Sequence, residues 1–134
     1  MRLMLEEKEK MLVQNDFSEL EEIIKKPLPA QFKNFYLVNN GGYLPEDNSD
    51  NPFLLGGFIA IKYGRVPVER TYERLISGFP ELKEMIPFAY DDGGNCFLLS
   101  LRDKDYGKIY IWLMDEKELT FVSESFDEFI NKLS

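Results

Sequence analysis

The chain contains no histidine and only one cysteine, Cys96, among its 134 residues. Without an imidazole there is no Ser-His-Asp or Cys-His catalytic pair and no histidine metal ligand. A lone Cys96 excludes an internal disulfide and any CxxC-type zinc or redox site. Acid–base and nucleophilic chemistry is thereby restricted to carboxylates, Lys, Tyr, Ser and Thr. Long apolar runs are missing as well. Met1-Arg2-Leu3-Met4-Leu5 gives way at once to Glu6-Glu7-Lys8-Glu9-Lys10, too short a run for a signal-peptide core or a membrane span. With one unpaired cysteine, a reducing cytoplasm is the simplest expected compartment.

Positive charge is also in short supply. There are 16 basic against 24 acidic residues, a formal net charge of −8. An acidic surface repels phosphate backbones, which argues against nucleic-acid binding, and it favours basic partners. A net charge of this size is equally ordinary for a small soluble domain. What the chain does have is apolar material, 44% hydrophobic and 14% aromatic, enough for a core in one domain of this length.

Periodicity places the elements. Residues 1–13 read as a short extra N-terminal helix, part of a 1–17 extension. Ser18 with Glu21 three residues later reads as a capping box, followed by the stripe Leu20, Ile23, Ile24. Pro27 and Pro29 end that helix and start another, with Phe32, Phe35 and Tyr36 on one face. Asn39-Asn40-Gly41-Gly42 stops it. Residues 43–52 read as a polar loop, and 53–63 as strand interrupted by a bulge or tight turn at Gly56-Gly57. Residues 67–77 predict a helix, with Gly78 at its end and one further turn over 80–85.

The remainder alternates apolar runs with short polar turns: strands at 86–90, 96–102, 108–114 and 119–123, turns at 91–95, 103–107 and 115–118. Such spacing implies an antiparallel meander. Ser125 and Glu128 cap a final helix whose Phe126, Phe129, Ile130 and Leu133 fall at i, i+3, i+4 and i+7. The expected fold is α+β, a single domain over 1–134 with helices packed around an antiparallel sheet.

Few segments offer chemistry. Neither GxxxxGK[ST] nor GxGxxG occurs, which leaves nucleotide binding without support. Asp47-Asn48-Ser49-Asp50-Asn51 resembles the start of a calcium loop. Pro52 stands where the loop needs Gly, and Phe58 where it needs its bidentate Glu, so an EF-hand is rejected. Asp91, Asp92 and Asn95 could hold a hard cation, but a turn using them for local hydrogen bonds is the simpler reading. No metal, cofactor or catalytic group is assigned. Cys96 reads as a small core or half-buried residue.

In the strand 108–114, Tyr110, Trp112 and Met114 share one face and Ile109, Ile111 and Leu113 the other. Two readings follow: a central strand covered on both sides, or one aromatic face offered to a partner.

Three segments together resemble the SUKH superfamily. Leu28-Pro29-Ala30-Gln31-Phe32-Lys33-Asn34-Phe35-Tyr36 running into Asn39-Asn40-Gly41-Gly42 is similar to its LPxxFKxFxxxxNGG opening. Ile86-Pro87-Phe88-Ala89 with Asp91-Asp92-Gly93-Gly94-Asn95 is similar to its central IPFAxDxGGN block. Gly107 to Trp112 and Ser123 to Phe129 are similar to its closing GxVYxW and SFxEFL elements. The resemblance covers about residues 18–134, in order. It departs after Trp112, where Leu113-Met114-Asp115 replaces the acidic or His-containing segment of many members.

The superfamily includes regulators of cell-wall assembly and glucan synthesis. Its many bacterial members are implied to be immunity proteins that bind and block a cognate polymorphic toxin, often a nuclease. The resemblance therefore implies a non-enzymatic module with a protein partner, a basic toxin domain, and no nucleic-acid or membrane partner. An intracellular regulatory scaffold is the alternative, and a carboxylate-dependent hydrolase the reading from another class. The expected partner-binding residues are Tyr110, Trp112, Asp91, Asp92, Asp115 and Glu116.

Overall fold

The connections between the last four strands are short, which favours pairing of each strand with its sequence neighbour. The result in the computed structural model, which describes residues 3–48 and 51–133, is a six-stranded antiparallel sheet in strict chain order. The strands are β1 (Gly42–Tyr43), β2 (Leu55–Phe58), β3 (Met85–Asp91), β4 (Cys96–Ser100), β5 (Ile109–Leu113) and β6 (Glu118–Ser123). The helices are α1 (Ser18–Ile24), α2 (Ala30–Val38), α3 (Val68–Gly78) and α4 (Phe126–Leu133). This is the α+β meander expected from the turn spacing. Met1, Arg2 and Ser134, together with Ser49 and Asp50 of the rejected calcium loop, lie outside the described residues.

Side chains alternate across a strand, so the sheet has two distinct faces. On one face Phe88, Phe97, Leu99 and Ile109 meet α2 and α4. Aromatic rings dominate this core: Phe88 packs edge-on against Phe126 and Phe129, and Phe32 against Phe126. The i, i+3, i+7 stripe of α4 is what delivers Phe126, Phe129 and Leu133 there, all buried. On the other face Met85, Leu98 and Trp112 are covered by Leu75 of α3 and Leu82 of the 3-10 turn that follows it. α3 thus spans both cores, since its first half puts Val68 and Tyr72 into the larger one.

Local signals are partly reassigned. Residues 3–13 are not helical. They carry the buried Leu3, Leu5 and Leu12. Apolar points at that spacing serve a non-helical segment laid against the core, and among the described residues the only helical turn of the N-terminal extension is a 3-10 turn at Gln14–Phe17. Asn39 and Asn40 explain the placement. Asn39 Oδ1 accepts from Leu5 N–H at 2.9 Å and its Nδ2 donates to Leu3 O at 3.2 Å. Asn40 donates to Lys10 O and Ile61 O, and accepts from Ile61 N–H at 2.7 Å. These two buried amides, expected only to stop a helix, pin the N-terminal segment.

Ser18 is the first residue of α1 rather than its cap, and its hydroxyl donates to Asn15 O. Glu21 instead accepts from Leu28 N–H at 2.8 Å and pairs with Lys33. The expected strand over 53–63 is confined to β2, and 59–66 is irregular. Its glycines lie inside β2 at a bulge, where a side chain on Gly57 would strike the Tyr90 ring.

Candidate functional site

In a meander the turns alternate between the two ends of the sheet. The 91–95 and 114–117 turns therefore share one end with the loop between β1 and β2. Hydrogen bonds tie the three together. Asn95 Oδ1 accepts from Met114 N–H at 2.9 Å, and Asp92 N–H donates to Leu54 O at 3.0 Å. This end is acidic: it carries Glu46, Asp47, Asp91, Asp92, Asp115, Glu116 and Glu118, with Lys117 among them. Four of the six expected partner-binding residues are thus brought to one place from two turns.

They do not play equal parts there. Asp91 is half-buried and spent on the turn. Its Oδ1 accepts from Gly93 N–H at 2.9 Å and Asn95 N–H at 2.8 Å, and its Oδ2 from Asn95 Nδ2 at 3.0 Å. That is the hydrogen-bonded turn chemistry of Asp and Asn. Asp92, Asp115 and Glu116 are exposed.

Tyr110 and Trp112 lie on the α3-covered face of β5. Trp112 is 2% exposed, its ring centroid 5.1 Å from that of Phe79. Leu75, Leu82, Met85 and Leu98 complete its surroundings, and its indole Nε1 is buried without a hydrogen-bond partner. At this residue the two-sided burial of a central strand describes the structure. Tyr110 is half-buried. Its hydroxyl donates to Asp105 Oδ2 at 2.6 Å, and burial together with that carboxylate pushes the phenol up from its ordinary value. Cys96 sits opposite Trp112, half-buried, with its thiol pushed up by burial and by Asp91.

The far end of the sheet holds the other carboxylate of consequence. Asp105 is 8% exposed and accepts from Ser100 Oγ at 2.5 Å, Tyr110 OH at 2.6 Å and the Arg102 guanidinium. Burial by itself would raise its pKa, but the hydrogen bonds from Arg102, Ser100 and Tyr110 outweigh burial and hold it at about 2. The second buried acid, Glu69, accepts from Lys62 N–H at 3.0 Å in the first turn of α3. These two buried carboxylates have separate partner sets and do not form a convergent pair. No cluster of three metal-ligating side chains occurs among the described residues.

Sequence reasoning missed some surface residues. Phe121 is 48% exposed on β6, edge-on to Tyr110 at 5.9 Å. Tyr43 is 49% exposed and, with Tyr63, Tyr90 and Arg65, lines a cleft of about 330 Å³ that also meets the exposed Glu7 and Glu9. Strand parity could have found Phe121, because it pairs with Tyr110. Nothing local in the sequence joins residues as distant as Glu7, Tyr43 and Tyr90.

No helix among the described residues is long and apolar enough to cross a membrane. No curated protein matches the chain. The model of the SMI1 / KNR4 family (SUKH-1) matches residues 12–132, nearly the whole sheet-and-helix body described above, and the chain belongs to that family.

Proposed function

We propose that this chain is a non-enzymatic, cytoplasmic protein-binding module, an immunity protein that blocks a basic toxin domain by covering its active site. The observation that carries the reading is the convergence of Asp92, Asp115 and Glu116, all exposed, at one end of the sheet. Membership of a family associated with protein–protein recognition supports it. Such a surface offers fixed negative charge that steers a basic partner into encounter. Where the toxin is a nuclease, these carboxylates occupy the cleft that would otherwise hold phosphates.

The six residues divide by role in this reading. Asp92, Asp115 and Glu116 meet the partner directly, whereas Tyr110 is held by Asp105 toward the opposite end of the sheet and lies outside that contact. Asp91 shapes the turn that presents Asp92. Trp112 is the buried support beneath.

Co-expression with whichever toxin domain the neighbouring genes encode tests the reading. Host growth is expected to be restored by this protein, with a complex recoverable from the cells. Equal killing with and without it overturns the immunity function for that pair.

A further inference from the structure

The two edges of the sheet are finished differently. β1 is two residues long, and its outer side is already occupied. Tyr43 N–H donates to Glu6 O at 2.9 Å, and Glu6 N–H donates to Tyr43 O at 2.8 Å. Gly42, at φ 116°, allows this approach, because a side chain there would collide with the Glu6 carbonyl. β6 is six residues long and is the last strand of the sheet, so its outer edge meets no further strand among the described residues. An open edge presents a row of backbone donors and acceptors to any extended chain.

The usual defences of an open edge are sparse on β6. It contains no proline and no lysine between Glu118 and Ser123. Its one irregularity lies at the C-terminal end, where Ile109 pairs with Ser123 and Tyr110 with Phe121, which leaves 118–121 in unbroken register with β5. Beside that stretch Leu119 and Phe121 lie on the same face as Trp112 and Tyr110, so an apolar ledge borders the edge.

Charge selects the occupant. Asp115, Glu116 and Glu118 stand at the start of β6, three acids against Lys117 alone, while Glu124 beyond its end is already paired with Lys108 at 3.1 Å. A second copy of this chain would bring the same acids against them. An extended segment carrying Lys or Arg at the end that meets Asp115, Glu116 and Glu118, with apolar residues along the ledge, would satisfy the backbone edge, the ledge and the acids together. We propose that β6 is the docking edge for such a basic extended segment of the partner protein, which joins the sheet as a seventh strand. This rests on the reading of the chain as a binder of a basic protein, and names the mode of capture.

Amide hydrogen exchange of the chain, alone and with the toxin domain used in the co-expression test, distinguishes the outcomes. Strand addition should protect alternate amides of 118–122, those pointing outward, by at least about tenfold, and Phe121→Glu should weaken the complex by a similar factor. The substitution is at an exposed position, so the fold should persist, and unfolding of the free variant at the wild-type midpoint checks this. Protection confined to the 91–95 and 114–117 turns, with β6 unchanged, overturns strand addition while the binding function stands. Protection of β6 by raising the concentration of this chain alone assigns the edge to a second copy and overturns the basic occupant. Absence of any complex with the toxin domain overturns the binding function and this inference with it.

Discussion

At the β4–β5 end of the sheet, Asp105 is nearly out of solvent and accepts hydrogen bonds from Ser100, Arg102 and Tyr110. At the opposite end, Asp92, Asp115 and Glu116 reach into water. The same chemical group is committed to the fold in one place and left free in the other. What separates them is local supply. A guanidinium three residues before Asp105, with two hydroxyls on neighbouring strands, compensates the cost of burying a charge. The other turns offer Lys117, backbone amides and the Asn95 side-chain amide, and Asp91 takes the Asn95 amide and the backbone amides of its own turn. Exposed carboxylates also occur elsewhere, as at Glu22, Glu81 and Asp127, but at this end several are brought together by turns that chain order places side by side.

The comparison breaks most visibly if the committed end is cut. Asp105→Ala leaves the Arg102 guanidinium, 20% exposed, without its carboxylate, and strands two hydroxyls. A loss of roughly 3 kcal/mol is expected in urea unfolding at neutral pH. A loss below about 1 kcal/mol would mean that water replaces Asp105 cheaply and that the two ends are alike.

Acid titration probes the same contrast with a somewhat smaller effect. The folded-state pKa of Asp105 is about 2, below its ordinary 3.8. A lowered carboxylate pKa contributes stability that is present above the unfolded value and is lost as pH falls through the folded one. About 2 kcal/mol should therefore disappear between roughly pH 4 and pH 2. In Asp105→Asn that portion of the pH dependence should flatten, as read from thermal midpoints across the range. An unchanged profile would show that Asp105 is not the group responsible.

Asp91→Ala should cost less, about 1 kcal/mol, because the bonds it removes lie within one solvent-bordering turn. Its effect on binding should exceed that of its stability loss, since the turn also positions Asp92 and, through Asn95, Met114. A binding loss no larger than that of a neutral surface substitution would separate the turn from the site.

How much of this is legible in sequence depends on range. The meander follows from short polar turns between apolar runs, and the Ser125 cap is seen directly, its Oγ accepting from Glu128 N–H at 3.1 Å. The N-terminal segment reads locally as helix, but its fate is decided by Asn39 and Asn40, about 30 residues away. Trp112 illustrates the same limit. Its alternation with Tyr110 says that the two share a face, but only the arrival of Leu75, Phe79 and Leu82 from α3 and its following turn decides that Trp112 is covered while Phe121 stays open. Likewise Asp105 and Asp115 are indistinguishable as letters in polar turns. Arg102 alone is a local hint, and the Tyr110 hydroxyl comes from the next strand.

The smallest expected effect on stability belongs to the free end, and it sharpens the comparison most. In the triple variant Asp92→Lys, Asp115→Lys, Glu116→Lys, none of the three carboxylates is buried, so each change should alter unfolding free energy by no more than about 0.5 kcal/mol. Relief of like-charge crowding even favours the variant slightly. Association with the basic toxin domain should respond quite differently. Charge outside the dry centre of an interface acts mainly on encounter, so the association rate should fall steeply and its dependence on ionic strength should shrink, while dissociation changes less. Stopped-flow association at several salt concentrations reads both quantities. A variant that binds at the wild-type rate at low salt would show that the acidic end is only a solubilising surface, and that the partner, if held, is held elsewhere.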